Sequence, residues 1–307
     1  MNMMEIPKYE SLWQTFIYSK FFRAPLWIVR KFIYRNANPK KSFTVSMRIG
    51  HKLELRPTQN YLKGILINRA YHDENVFLLK HFITKDAVIL DIGANIGAYC
   101  CAYAKRYEKL NVSIYAIEAL ITNLNFLKHN KSLNKFENIK EFHLALGEKA
   151  GELEFSLPQD DFVGNAVGDN IRFFGKPNSE RENHIHKVTM KSLDQWSEEQ
   201  KINRCDFMKI DIEGAEFFVF KGGINFIKRC RPVIQCEFNK YWQNNMGLSE
   251  KDFLKFFSEI DYKIAIEKGN HYRIIDDINN YTIDEGLVDL LFVPKEKFTN
   301  LQKGLSA

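Results

Sequence analysis

Short apolar runs alternate with amphipathic stretches from about residue 87 to residue 293, the pattern of a doubly wound α/β core. Ala87 to Leu90 is continuously apolar, as in a strand buried on both faces of a parallel sheet, and 96–107 has helical composition. The pairing repeats: a strand over 112–117 closes at Glu118, a helix spans about 122–133, and a strand covers 138–144. A fourth strand runs through Phe207 to Asp211, a fifth covers 232–238, and two more at 262–266 and 287–293 form a closing hairpin. The expectation is a seven-stranded, mostly parallel sheet with right-handed crossovers and an antiparallel last strand. A helix over 248–260, with Ser249 as its cap, fills the gap before the sixth strand.

Ahead of this core, alternating Phe43/Val45/Met47/Ile49 and Leu53/Leu55 predict a hairpin around Gly50-His51. A helix over 74–82 follows, with Asp73 and Glu74 where the helix dipole favours acids. Between the third and fourth strands, 151–157 and 188–194 are expected as strands flanking a Gly- and Asn-rich loop suited to a mobile pocket wall. His184 and His186 sit there without a carboxylate at matching spacing, so they are expected as surface residues.

Charge changes the picture at the N-terminus. Residues 1–60 hold eleven Lys/Arg against three acids, a surplus of +8, so the remainder carries −2 of the overall +6. Residues 11–35 mix Trp13, Phe16, Trp27 and Phe32 with Lys20, Arg23, Arg30 and Lys31. Those charges and Pro25 argue against a bilayer span and for two helices broken near the proline. Such an arm either packs on the core as a lid or lies on an anionic membrane surface as a peripheral contact. The expected division is a helical arm over 1–40, a small β/α region over 41–84, the main domain over 85–295, and a polar tail over 296–307. The 307 residues, 45% hydrophobic and 27% charged, suit a soluble protein with one large core. Five Cys without a CxxC pair or a secretory framework fit a reducing, cytoplasmic compartment, possible membrane contact being on its inner face.

Two stretches carry chemistry. Asp91-Ile-Gly93-Ala-Asn95-Ile-Gly97 turns from the first strand into its helix. A dinucleotide site needs Gly-x-Gly-x-x-Gly to rest a pyrophosphate on the helix N-terminus. Here the glycines are four apart and an acid ends the strand, which repels pyrophosphate and suits the amino group of S-adenosylmethionine. Glu118, 27 positions after Asp91, is placed to accept ribose hydroxyls. The candidate cofactor residues are Asp91, Gly93, Asn95, Gly97, Glu118 and Ala145.

The second stretch is Lys209-Ile-Asp211-Ile-Glu213-Gly-Ala-Glu216. Two charges near the end of a buried strand are expensive unless paired, so Lys209 and Asp211 are expected to meet each other or a ligand. Asp211, Glu213 and Lys209 are the candidate catalytic residues, with Asp211 the leading proton acceptor, and Glu216 is expected mainly as a cap. An oxygen-only set of Asp211, Glu213 and Glu237 is conceivable for a divalent ion, but nothing in the spacing clusters it, and no metal is assigned.

With Ser192-Leu-Asp194 before the second stretch and Pro232-Val-Ile-Gln-Cys-Glu237 after it, the two motifs resemble the FkbM family of methyltransferases over roughly 70–240. The resemblance implies a class I methyltransferase fold, Rossmann-like, with S-adenosylmethionine as cofactor and O-methylation of a sugar, glycolipid or polyketide hydroxyl as the activity. Ala119 stands where the family commonly has Pro, which touches only the local turn. No Asp-Pro-Pro-Tyr-like tetrapeptide follows the fourth strand, and no Pro-Cys nucleophile is present, so nucleic acid is not the expected partner. The competing readings are a nucleic-acid methyltransferase using the basic arm and a non-catalytic, membrane-associated scaffold.

Overall fold

The computed structural model describes residues 5–7, 28, 31, 38, 41–56, 60–158, 183–269, 271–277, 281–284 and 286–298. The first strand of the core, β4 (Val88–Ile92), is buried along nearly its whole length, as a strand with neighbours on both edges and apolar but for Asp91 must be. β5 (Ser113–Glu118) and β6 (Ile139–His143) extend the sheet on one side in parallel, and β10 (Phe207–Ile210) and β11 (Val233–Asn239) on the other. β14 (Leu287–Pro294) then pairs antiparallel with both β11 and β12 (Tyr262–Lys268).

This is the expected class I arrangement with one strand more. Between residues 88 and 294 the sheet has eight strands, the addition being β13 (His271–Ile274), and a ninth, β1 (Glu5–Pro7), pairs antiparallel with it. β13 is four residues long with only alternate positions buried, too short to stand out as an apolar run. The turn before it carries Lys268-Gly269, with Gly269 at φ 61°, the usual punctuation of a hairpin. The helices expected over 11–35 lie outside the described residues apart from Ile28 and Lys31, and Glu5–Pro7, within the arm, is strand. No helix among the described residues is long and apolar enough to cross a membrane.

Helices cover both faces. On one lie α1 (Asn60–Asn68), α2 (Asp73–Leu78), α3 (Ala98–Arg106) and α4 (Ile121–Asn134), packed with the hairpin β2 (Phe43–Ser46) and β3 (Lys52–Leu55). On the other lie α5 (Leu193–Glu199), α6 (Glu216–Gly222), α7 (Ile224–Cys230) and α9 (Glu250–Ser258), the last after the short α8 (Lys240–Asn245). α9 starts from a full capping box of Ser249 and Asp252. The first of these layers holds two differences from expectation: α1 is an additional helix, and the helix expected over 74–82 ends at Leu78 and continues as one 3₁₀ turn.

The strands expected at 151–157 and 188–194 leave the main sheet. β8 (Gly151–Pro158) and β9 (Asn183–Ser192) pair antiparallel, and β7 (Ala145–Gly147) joins β9 to make a separate three-stranded sheet. Leu193 and Asp194 are not strand. The Ser192 side chain accepts from Gln195 N and starts α5, while the Asp194 carboxylate accepts from Asn225 N and Phe226 N at the head of α7. An N-capping residue ended the strand where alternation alone continued it.

The hairpin is held by amides of α4 acting as a substitute strand. Asn130, fully buried, accepts from Glu54 N at 2.6 Å and donates to Glu54 O at 3.1 Å and Ile96 O at 2.9 Å. Asn134 repeats the pattern on Lys52 N and O, both at 2.7 Å. Asn130→Ala strips three backbone groups, one buried and two part-buried, of their partner and is expected to lower stability by about 2–3 kcal/mol. A urea midpoint shift equivalent to less than about 1 kcal/mol would show the hairpin docks without this bracket.

Candidate active site

The turn after β4 is shaped by a close approach. Gly93 N and Ala94 N both donate to Ile117 O, at 2.9 and 3.0 Å, tying the turn to β5. Gly93 has φ 80°, and a Cβ there would stand 2.0 Å from the backbone oxygen of Asp211, so only glycine lets these two strand ends lie side by side. Asn95, at φ 53°, presents its backbone N–H to Glu118 Oε2 at 2.8 Å, and Leu120 N donates to Glu118 Oε1 at 2.8 Å. The Glu118 carboxylate is thus clamped by backbone on both oxygens. Burial pushes it up to about 7 against those hydrogen bonds.

On the neighbouring strand, Lys209 is 5% exposed and its Nζ lies 2.9 Å from Asp211 Oδ2 and 4.6 Å from the centre of the Tyr99 ring. Sheet register sets it beside Asp91. Burial works against its charge, but Asp211, Asp91 and Asp289 together hold its pKa above the ordinary lysine value. The chain then turns through Glu213 at φ 58° and Gly214 at φ 108° into α6. Glu216, 1% exposed, braces that turn: its carboxylate accepts from Ile212 N at 3.0 Å, from Gly214 N at 3.1 and 3.0 Å, and from Gln243 Nε2 at 2.7 Å.

These turns enclose a cavity of about 380 Å³ at the carboxyl ends of the strands, where open α/β sheets bind ligands. Its wall contains Gly93, Asn95, Glu118, Ala145, Lys209, Asp211 and Glu213, seven of the nine sequence-derived candidates. Gly97 is set back from the wall, where a Cβ would meet Leu127 Cγ at 2.9 Å, so its place is in helix packing. Asp91 is also behind the wall. It is 1% exposed, its Oδ2 accepts from Cys100 Sγ at 2.9 Å, and burial raises its pKa while Lys209 opposes the rise. The period of the strand turns residue 91 under α3, where Lys209 on the neighbouring strand acts on it through charge.

Three acids converge where the cavity wall meets β11. Asp211, Glu213 and Glu237 each place one carboxylate oxygen within 4.8 Å of the others. Crowding shows in two of them: burial, Asp211 and Glu216 push Glu213 up to about 8, and burial with Asp211, Glu213 and Asp289 pushes Glu237 up to about 10. Sequence reasoning missed Gln235 and Asp289, which line a small adjoining cavity with Asp211 and Glu237. The signal was present: Gln235 and Glu237 share one face of β11 at period two, and Asp289 interrupts the apolar run of β14.

The family model of the methyltransferase FkbM domain matches residues 91–270, which takes in both turns and the whole acidic cluster. The chain belongs to the FkbM methyltransferase family. Among curated proteins it is similar to the hexuronic acid methyltransferase AglP of Haloferax volcanii, 23% identical over 201 residues, covering 63% of this chain and 70% of AglP. It is also 27% identical over 207 residues to the AMB antimetabolite synthetase AmbE of Pseudomonas aeruginosa, covering 58% of this chain but only 9% of that much longer protein. Among solved structures it matches the FkbM methyltransferase of Methylobacillus flagellatus at 15% identity and a TM-score of 0.41, spanning 88% of this chain and 59% of that one.

In this FkbM-family site the ammonium of Lys209 offsets the carboxylates of Asp91, Asp211 and Asp289. Lys209→Met leaves Asp91, Asp211 and Asp289 without it and is expected to cost about 3–5 kcal/mol of stability. Adding Asp91→Asn to Lys209→Met should recover part of the loss, read as a positive coupling in urea denaturation. Strict additivity of the two variants would mean that Asp91 and Lys209 do not share charge.

Proposed function

We propose that this FkbM-family protein is an S-adenosylmethionine-dependent O-methyltransferase acting on a hydroxyl of a sugar or glycolipid. The observation that carries the reading is the cavity of about 380 Å³, lined by the Gly93–Asn95 turn and Glu118 together with Asp211 and Glu213. Its volume suits a nucleoside-sized ligand. Glu118 supports the fit: Asn95 N, Leu120 N and the Asn123 side chain occupy three of the roughly four acceptor positions of its carboxylate, which leaves one for a further donor such as a ribose hydroxyl. Ile92, Ile117, Leu144 and Leu146 give the apolar wall that an adenine ring needs and that keeps water from the reacting centre.

Bound S-adenosylmethionine supplies an electrophilic methyl group on a sulfonium. The chain's part is then to hold an acceptor oxygen in line and to take its proton. Asp211 is anchored by Lys209 and suits orientation of the acceptor. With no cation bound, Glu213 is pushed up to about 8, which makes it a stronger base than an ordinary carboxylate once ionised, and it takes the place first expected for Asp211. The acceptor class draws support from AglP, which is named for methylation of a hexuronic acid.

The cofactor reading has a pH signature. The Glu118 carboxyl is held at about 7, above its ordinary 4.5, so folding favours its protonated form and stability contributed by that proton is lost as pH rises from 4.5 to 7. A ribose hydroxyl donates more strongly to the ionised form, so cofactor affinity is expected to rise, by about tenfold at most, between about pH 6 and about pH 8. Glu118→Gln should flatten that profile and weaken binding about tenfold at the upper pH. Calorimetric titration of S-adenosylmethionine checks both, and absence of saturable binding by the wild-type protein would sink the cofactor assignment.

A further inference from the structure

Asp211 and Glu213 follow β10 and Glu237 lies near the end of β11, so adjacent strand ends deliver three carboxylates to one point. Their nearest oxygens are mutually within 4.8 Å, and this is the one group of three or more metal-ligating side chains so close among the described residues. Two oxygens on opposite sides of a cation at about 2.1–2.4 Å stand about 4.2–4.8 Å apart. The three oxygens therefore fit around one ion with the strands as they are.

A separate observation points to the same ligand. Gln235, 1% exposed, donates from Nε2 to Asp289 Oδ2 at 2.7 Å and to the Tyr272 hydroxyl at 3.2 Å, which sets the orientation of its amide. The amide oxygen Oε1 is buried with no partner. Gln235, Asp211 and Glu237 line the same cavity of about 40 Å³, large enough for one ion or one water. An orphaned buried acceptor is costly, and a hard cation or its bound water would relieve it.

We propose that Asp211, Glu213 and Glu237 bind one divalent cation of the magnesium or manganese class, with Gln235 Oε1 as a further oxygen, direct or through one water. The donor set is all oxygen, which selects hard cations over zinc or copper. Lys209 does not fill this role, since its ammonium is committed to Asp211 and shared with Asp91 and Asp289. Cation binding stands on the carboxylates and the amide alone. Its use, taking up the acceptor's hydroxyl oxygen beside the large cavity, rests on the methyl-transfer reading.

The test uses the full chain stripped of metal and titrated with manganese(II), following loss of the free-ion electron paramagnetic resonance signal without cofactor. Calorimetry with S-adenosylmethionine is run separately. One manganese ion per chain is expected, displaced by magnesium and weakened about tenfold or more in Glu237→Gln and in Gln235→Leu. Glu199→Gln, an acid paired with Lys191 away from the cluster, should leave binding unchanged. If circular dichroism shows that Glu237→Gln fails to fold, Glu213→Gln makes the same comparison. No site tighter than about 1 mM in the wild type, or equal binding by the cluster variants, overturns the site. Cofactor binding without manganese binding overturns the site alone, whereas manganese binding without cofactor binding supports it and counts against the methyl-transfer reading.

Discussion

A single buried ammonium organises the centre of this protein. Lys209 sits in the sheet at 5% exposure, an arrangement that costs several kcal/mol unless opposite charge surrounds it. That charge comes from β4, from the end of β10 and from β14, through Asp91, Asp211 and Asp289, while the face of the Tyr99 ring covers the ammonium from α3. Elements distant in sequence must meet in one register for the charge to be tolerated. The requirement links the two chemistry-bearing stretches before any ligand is considered.

Around that ion, backbone contacts place the site. The missing Cβ of Gly93 lets the β4 turn lie against the Asp211 carbonyl, and the Glu216 carboxylate fixes the following turn from below through the N–H groups of Ile212 and Gly214. Glu118 does the same for the turn after β5, with Asn95 and Leu120 as donors. Two of the acids in these motifs thus hold loop backbone at least as much as they face the cavity. Glu213 and Glu237, by contrast, are crowded by like charge and burial, the condition that raises a carboxyl pKa into a chemically useful range.

Much of the fold was legible from residue pattern. Buried parallel strands appear as unbroken apolar runs, and β4, β5, β6, β10 and β11 stand where those runs are. β13 escaped because four half-buried residues have no run to show, and Leu193-Asp194 misled because alternation continues past a serine that already caps a helix. In the site, Glu118 and the Lys209–Asp211 pair were legible because a charge at a buried strand end demands an explanation. Asp91 demanded one equally, but it lies behind the cavity wall, accepting from Cys100 Sγ and balanced through charge by Lys209 on the next strand, neither of which local spacing encodes.

What the sequence by itself determined is local and periodic: which segments are strands and helices, where each chemistry-bearing turn falls, and, through two motifs in order, the family. Those depend on the 2.0 and 3.6 residue periods and on the steric demands of glycine, which act within a few positions. The tertiary structure alone decided which face of a strand meets which neighbour. It set Asp91 under α3, gathered Asp211, Glu213 and Glu237 within 4.8 Å, and stranded the oxygen of Gln235 beside them. Sheet order and register set these distances, and both follow from long-range pairing between strands that the chain connects through helices.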